Sequence, residues 1–346
     1  MNRFDIIDEL NANKTLDMQK WQKLISEHTD EDYMYSSQLA RKIAKEKFSN
    51  KLYLRGIVEF TNICRNDCLY CGIRRSNSSV ARYRLDKSDI LECCKLGYEL
   101  GYRTFVFQGG EDAYFTDDIL CDIIKNVKNK FPDCAITMSV GERSYESYKK
   151  MYDAGADRYL LRHETADCAH YSKLHPENMQ LKNRMQCLEN LKEIGYQTGC
   201  GMMIGSPYQT SAELACDMQF ISEFKPHMIG MGPFIPHKDT PFKDKKSGSV
   251  SLTLFLLSLC RIMLPNVLLP ATTALGTVDE EGQKKGVLSG CNVVMPNLSP
   301  LSVRKKYMLY DNKVGSDLDA LQSLDRLKRQ VEEIGYEIIC DRGDYK

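Results

Sequence analysis

LYLRGIVEFTNICRNDCLYCG, residues 52–72, begins as a strand and ends as a cysteine loop. Its first half is rich in β-branched and aromatic residues up to Thr61. The second half sets Cys64, Cys68 and Cys71 at C-x3-C-x2-C spacing. Three thiolates can hold three irons of a [4Fe-4S] cluster and leave the fourth iron open to a small molecule. Tyr70 is placed to pack over such a cluster, and Gly72 lets the backbone approach closely. The competing readings are a zinc knuckle or three unrelated buried cysteines. Closed zinc sites bring a second C-x2-C pair or a His-x3-5-His run, and neither follows here.

Outward from this stretch the chain alternates strand and helix. Apolar strand patterns recur at 52–62, 104–111, 135–142, 157–165, 197–207, 227–236, 268–276 and 291–299. Helical patterns separate them, with Asp86 as N-cap and Gly101 as stop of the first. Eight strands alternating with helices predict an α/β fold, a parallel (βα)8 TIM-type barrel. Residues 1–50 read as an N-terminal helical cap, with Leu24, Ile25 and His28, then Leu39 and Ile43, at helical spacing. The barrel is expected over 51–310. Residues 311–346 are expected to be an extension, a helix and a short strand packed on the outside.

Composition narrows the function classes. The 346 residues carry 47 basic and 47 acidic side chains, a formal net charge of zero. That balance argues against nucleic acid or an anionic membrane as main partner. The runs Lys243–Lys246 and Arg304–Lys306 read as solvated faces. The start MNRFDIIDEL has no apolar stretch, and no run reaches the roughly 18 apolar residues of a membrane span. A cytoplasmic location is expected, with most of the 14 cysteines as reduced, buried thiols.

Barrel active sites lie at the C-terminal ends of the strands. Those ends carry Gln108-Gly109-Gly110-Glu111, then Thr137 and Ser139, then His163-Glu164-Thr165. Further on come Met203, His237, Thr272-Thr273 and Met295-Pro296-Asn297. Arg158 and Arg162 are four apart on one strand and so share a face. If that face is the interior, the two cations need an anionic ligand or carboxylates, the latter as a network with Glu164 and Glu59.

The loop from Cys64 to Gly72 resembles that of the radical S-adenosylmethionine (SAM) enzymes. In that superfamily three cysteines hold the cluster, and SAM chelates its open iron. Gln108, Gly109, Gly110 and Glu111 are similar to the superfamily's glycine-rich segment, which contacts the SAM amino group. Gly201-x-Met203-x-Gly205 resembles its adenine-side motif, with Met203 where isoleucine is common. The stretches RYLLRHETA (158–166), GPFIPHKDTP (232–241), PATTALGT (270–277) and NVVMPNLSP (292–300) resemble the HydE family of [FeFe]-hydrogenase maturases.

That resemblance implies a radical SAM enzyme. It would cleave SAM reductively to methionine and a 5′-deoxyadenosyl radical, in assembly of the [FeFe]-hydrogenase active site. The implied substrate is an organometallic complex, an iron with carbonyl and cyanide ligands and a bound cysteine, supplied by a partner maturase. An electron donor such as ferredoxin or flavodoxin is implied too. Glu164 and Arg184 become SAM contacts. Arg158, Arg162, Thr137, Ser139, Thr272, Thr273 and Met295 line the substrate cavity, and Tyr307 and Tyr310 close it. Some family members carry a second cysteine cluster near the C-terminus. Here only Cys340 lies beyond Cys291, so one [4Fe-4S] cluster is expected. The alternative is another radical SAM enzyme of similar build, a methylornithine synthase or a biotin synthase-like sulfur inserter.

Overall fold

The computed structural model describes residues 2–346. Three helices come first, Arg3–Asn13, Met18–Glu27 and Asp30–Phe48. Each starts on a side-chain cap, with Asn2, Asp17 and Thr29 accepting from the N–H three residues on. They pack on the barrel's outer helices, Asp30–Phe48 on Val250–Met263 and Met18–Glu27 on Ser211–Phe224. This explains the apolar run near 252–264. Helix Val250–Met263 is buried almost all round because the N-terminal helices cover its outer face. Its Arg261 is fully buried and donates to the Gly290 and Pro265 carbonyls and to Asn292 Oδ1.

The strands are β1 (Lys51–Leu54), β2 (Gly56–Thr61), β3 (Thr104–Gly109), β4 (Ala135–Ser139) and β5 (Arg158–Leu160). Then come β6 (Gln197–Cys200), β7 (Met203–Ile204), β8 (Met228–Ile229), β9 (Gly232–Pro233) and β10 (Val293–Val294). Six of them pair in parallel in the order β2-β3-β4-β5-β6-β8. The ring then closes through single bridges. Met228 pairs with Leu268, Pro270 with Val293, and Ile57 with Asn297, while β10 pairs with β1. Eight strand positions thus enclose one barrel.

Most strands are shorter than their apolar patterns. The fifth pattern splits into β6 and β7 at Gly201, whose close approach to the Gly230 carbonyl leaves no room for a Cβ. The seventh is reduced to bridges, because Pro270 has no N–H to donate and helix Thr273–Val278 begins at once.

Beyond the barrel, helix Ala320–Glu332 leads to β11 (Glu337–Ile339), which pairs with the outer side of β1. The chain ends differently from the expected outer packing. Residues 342–344 cross the N-terminal mouth of the barrel. Arg55 donates to the Gly343 carbonyl, Thr104 to that of Arg342, and Arg158 to both the Arg342 carbonyl and Asp344. Among the described residues no helix is long and apolar enough to cross a membrane.

Candidate active site

The cysteine loop leaves the C-terminal end of β2 and is held by its own backbone. Arg82 donates to four carbonyls, those of Asn62, Ile73, Arg74 and Asn77, at 2.6–3.0 Å. Arg74 pairs with Asp67 at 2.8 Å, and Gly72 N–H donates to the Leu309 carbonyl. The hydrogen bond to Arg74 keeps the Asp67 carboxyl well below its ordinary range. The crest of β3 rests directly on the loop. A Cβ on Gly110 would lie 2.3 Å from the Ile63 carbonyl oxygen and 2.7 Å from the Cys64 Cβ. One residue on, the Glu111 N–H points at Cys64 Sγ, 3.4 Å away.

Gly110→Ala should therefore push strand and loop apart. The expected cost is about 1–3 kcal/mol, as for other overpacked sites. Chemical denaturation of the apoprotein measures it.

One cavity of about 440 Å³ opens at this end of the barrel. Cys64, Cys68 and Cys71 face it from one wall. All three are free thiols. Burial, then the neighbouring Cys64 thiol, pushes the Cys71 thiol up to about 12. A metal's positive charge is what would offset that desolvation and hold thiolates here. Among the described residues no three side chains converge on a single ion. A cubane cluster needs no such point, since each iron takes one thiolate at its own corner. An all-sulfur donor set on one wall, with a glycine cradle behind it, fits a [4Fe-4S] cluster with one open iron.

The same cavity receives nearly every site residue expected from the sequence. Tyr70, Gln108, Gly109, Gly110, Glu111, Ser139, Arg162, Glu164, Arg184, Met203, Thr272, Thr273, Met295, Tyr307 and Tyr310 all line it. Tyr70 hydroxyl lies 3.2 Å from His175 Nε2. Glu111 accepts from Arg65 and from the Glu142 N–H. Arg184 is buried and is fixed by Glu142 at 2.5 Å and by the Arg162 carbonyl at 2.6 Å. Arg162 pairs with Glu164 at 3.0 Å, yet its Nε and Nη2 and Glu164 Oε2 find no aligned hydrogen-bond partner. Glu164 also has φ +67°, a left-handed conformation that is costly for a residue with a side chain. Its N–H is locked to the Gly201 carbonyl.

Arg158 and Thr137 lie elsewhere. They share a void of about 10 Å³ at the other mouth with Arg55 and Gln197. An apolar layer that includes Met228 and Leu268, with Leu160 and Met295 packed on it, lies between that void and the main cavity. Arg158 and Arg162 do share the inward face, but at opposite ends of the barrel. The carboxylate partner of Arg158 is Asp344, at 2.5 Å.

Among the other charged residues that line the cavity are Glu59 and Lys313. Glu59 is buried on β2, accepts from Asn297 at 2.7 Å and pairs with Lys313. Lys313 comes from the segment after Tyr307 and sits over that tyrosine's ring, 5.4 Å from its centre. This segment straps across the mouth. Asp311 N–H donates to the Pro236 carbonyl and Val314 N–H to Thr277 Oγ1. Glu59 had a sequence signal as an acidic residue within an apolar strand. Lys313, in a polar loop, had none.

Known proteins are similar to this chain. The Radical SAM superfamily matches residues 58–221, the span from β2 past Arg184. The [FeFe] hydrogenase maturase subunit HydE of Thermotoga maritima is 45% identical over 80% of this chain and 78% of its own length. The 3-methylornithine synthase of Methanosarcina acetivorans is 26% identical over 88% of this chain and 86% of its own. A crystal structure of methylornithine synthase superposes with TM-score 0.82 at 24% identity, covering 96% of this chain and 97% of that one, which supports the barrel fold. With the cysteine loop, the glycine-rich crest of β3 and the cavity between them on one barrel, the chain belongs to the HydE family of radical SAM [FeFe]-hydrogenase maturases.

Proposed function

We propose that this enzyme cleaves SAM reductively and uses the product radical in assembly of the [FeFe]-hydrogenase active site. The substrate we assign is an iron complex with carbonyl, cyanide and cysteine ligands. The observation that carries this reading is that the three thiols and Arg162, Thr272, Thr273 and Met295 line one and the same cavity. When bound, a [4Fe-4S] cluster on Cys64, Cys68 and Cys71 supplies the low-potential electron that splits the sulfonium.

The chain's own residues do the rest. The backbone from Gln108 to Glu111, with Glu164, Arg184, Met203 and Tyr70, would bind and orient SAM. Arg184, held charged by Glu142, suits a carboxylate. Arg162 has donors left over for an anionic ligand such as cyanide. Thr272, Thr273, Ser139 and Met295 would shape the inner chamber. Tyr307, Tyr310 and the strap carrying Lys313 would exclude water, which an organic radical needs. Residues 1–50 would then buttress the barrel of 51–310, and 311–346 would supply the strap and the floor. Partner maturases, a protein electron donor, a single cluster and a cytoplasmic setting belong to the same proposal.

Anaerobic incubation with SAM and dithionite tests it, with 5′-deoxyadenosine assayed with and without the iron complex made by the partner maturase. The complex should raise deoxyadenosine formation and be consumed. Arg162→Ala should still cleave SAM without substrate, but lose at least about 10-fold in substrate-dependent turnover, the scale of a lost charged hydrogen bond. Normal hydrogenase maturation by this variant would remove Arg162 from the substrate site.

A further inference from the structure

We infer that the face formed by Lys173, Tyr208 and the Lys243–Lys246 loop docks a small acidic one-electron carrier protein. The inference rests on the radical SAM reading of the site and places its electron source on the surface.

Tyr208 is unusual in two ways. The residue is 54% exposed, and its backbone has φ +70°, a conformation bulky residues avoid. The turn is braced into that shape. Gln209 accepts from the Gly205 N–H at 2.6 Å and donates to the Met203 carbonyl at 3.0 Å. Two ammonium groups lie over the exposed ring, Lys245 at 4.8 Å and Lys173 at 5.9 Å from its centre. Lys243 and Lys246 are exposed beside them. Among the described residues none of these four lysines has an ion-pair partner, and the only acid within the run is Asp244. On a chain with zero net charge, this is a local positive field around an aromatic anchor.

Its position gives the field a use. The Tyr208 ring packs edge-on against Phe242, 6.2 Å between centres. Phe242 belongs to a small apolar cluster with Leu174, Met203 and Phe234, on which Leu69 and Tyr70 of the cysteine loop rest. Leu69 N–H donates to the Leu174 carbonyl at 2.9 Å, and Leu174 follows Lys173 directly. One apolar layer therefore separates the lysines from the loop between Cys68 and Cys71. A carrier docked here gives up one electron, and that electron is the one the reductive cleavage of SAM consumes. Flavodoxin-type and ferredoxin-type carriers are acidic, which complements four lysines.

The test uses the reconstituted holoenzyme and two reductants, dithionite and a purified flavodoxin of net negative charge with its reductase. The triple variant Lys173→Glu, Lys245→Glu and Lys246→Glu should bind flavodoxin at least about 10-fold more weakly at low salt. Its flavodoxin-driven kcat/KM for SAM cleavage should fall similarly and lose most of its salt dependence. Dithionite-driven cleavage should stay within about twofold, which a merely structural role for the face would not allow. Unchanged Kd and flavodoxin-driven rate would overturn the proposal. So would an equal loss with both reductants, or tighter binding of the wild type to phosphatidylglycerol vesicles than to flavodoxin. SAM cleavage without substrate is the readout, so an error in the assigned iron complex leaves this result untouched. Should dithionite support no cleavage even in the wild type, the enzymatic reading fails, and the Kd comparison alone decides the docking face.

Discussion

Cys64→Ala should abolish formation of 5′-deoxyadenosine while leaving a folded barrel. The loop does not depend on its sulfur atoms for shape. Arg82 binds four of its carbonyls, the Arg74–Asp67 pair pins one turn, and Gly72 and Arg65 tie it to Leu309 and Glu111 by backbone hydrogen bonds. Removing one partly buried thiol should cost the apoprotein no more than about 1 kcal/mol. The effect on chemistry should be far larger. Loss even of an outer-shell partner typically costs 10- to 100-fold in metal affinity or activity, and Cys64 is one of the three ligands we propose, so a loss above about 100-fold is expected. Iron analysis after anaerobic reconstitution, together with deoxyadenosine assayed under dithionite, checks both halves. Wild type should hold about four irons, one cubane cluster. Clearly more would mean a second cluster, and near-normal cleavage by the variant would remove Cys64 from the ligand set.

That the loop can be read so directly reflects the locality of its information. Three ligands within eight residues need only one loop to bring them together. The same holds for Gln108 to Glu111, which end a strand and precede a helix. Depth in the barrel is not written locally. The alternation rule put Arg158 and Arg162 on one face, and that is where they are. Four residues of strand still separate them by about 13 Å along the barrel axis, enough to reach opposite mouths. The partners that decide their roles are remote in sequence. Arg158 meets Asp344, and Glu59 meets Lys313, across 186 and 254 residues. A lysine in a polar loop or an aspartate near the chain end reads as solvated surface until the fold delivers it to a buried charge. The seventh strand was legible as an apolar run, but not its thinness, because Pro270 removes a donor where the ladder has only one residue to spare.

The floor of the barrel supplies the second large effect. Arg55 and Arg158 are buried there, and burial lowers the pKa of both. Arg158 also donates to Gln197 Oε1 and Thr104 Oγ1 and Arg55 to the Met228 sulfur, but the one carboxylate and two of the carbonyls they meet come from the chain end, Asp344 with Arg342 and Gly343. Removing residues 341–346 would leave two cations in the floor without a carboxylate and with only neutral side-chain acceptors. Breaking a buried pair typically costs about 3–5 kcal/mol. Asp344 is itself one-third exposed, so Asp344→Ala should fall near or below the lower end, at about 2–3 kcal/mol. Denaturant titration of both variants measures this. Acid should expose the same linkage. Burial raises the Asp344 pKa, but the hydrogen bond from Arg342 and the charge of Arg158 outweigh it and the carboxyl titrates below its ordinary value. Its stabilisation is therefore complete above the unfolded value of about 4 and is lost as pH falls through the lower folded one. Wild type should lose stability in that window more steeply than Asp344→Ala. Arg158→Met separates structure from chemistry. It replaces a buried cation with an apolar chain, so the cost of Asp344→Ala should shrink in its background, and substrate-dependent turnover should persist. Arg162→Ala should do the reverse, sparing stability and losing turnover. If Arg158→Met instead kept full stability, and full sensitivity to Asp344→Ala, but lost turnover, Arg158 would belong to the substrate chamber and the chain end would be no more than a loosely tethered tail.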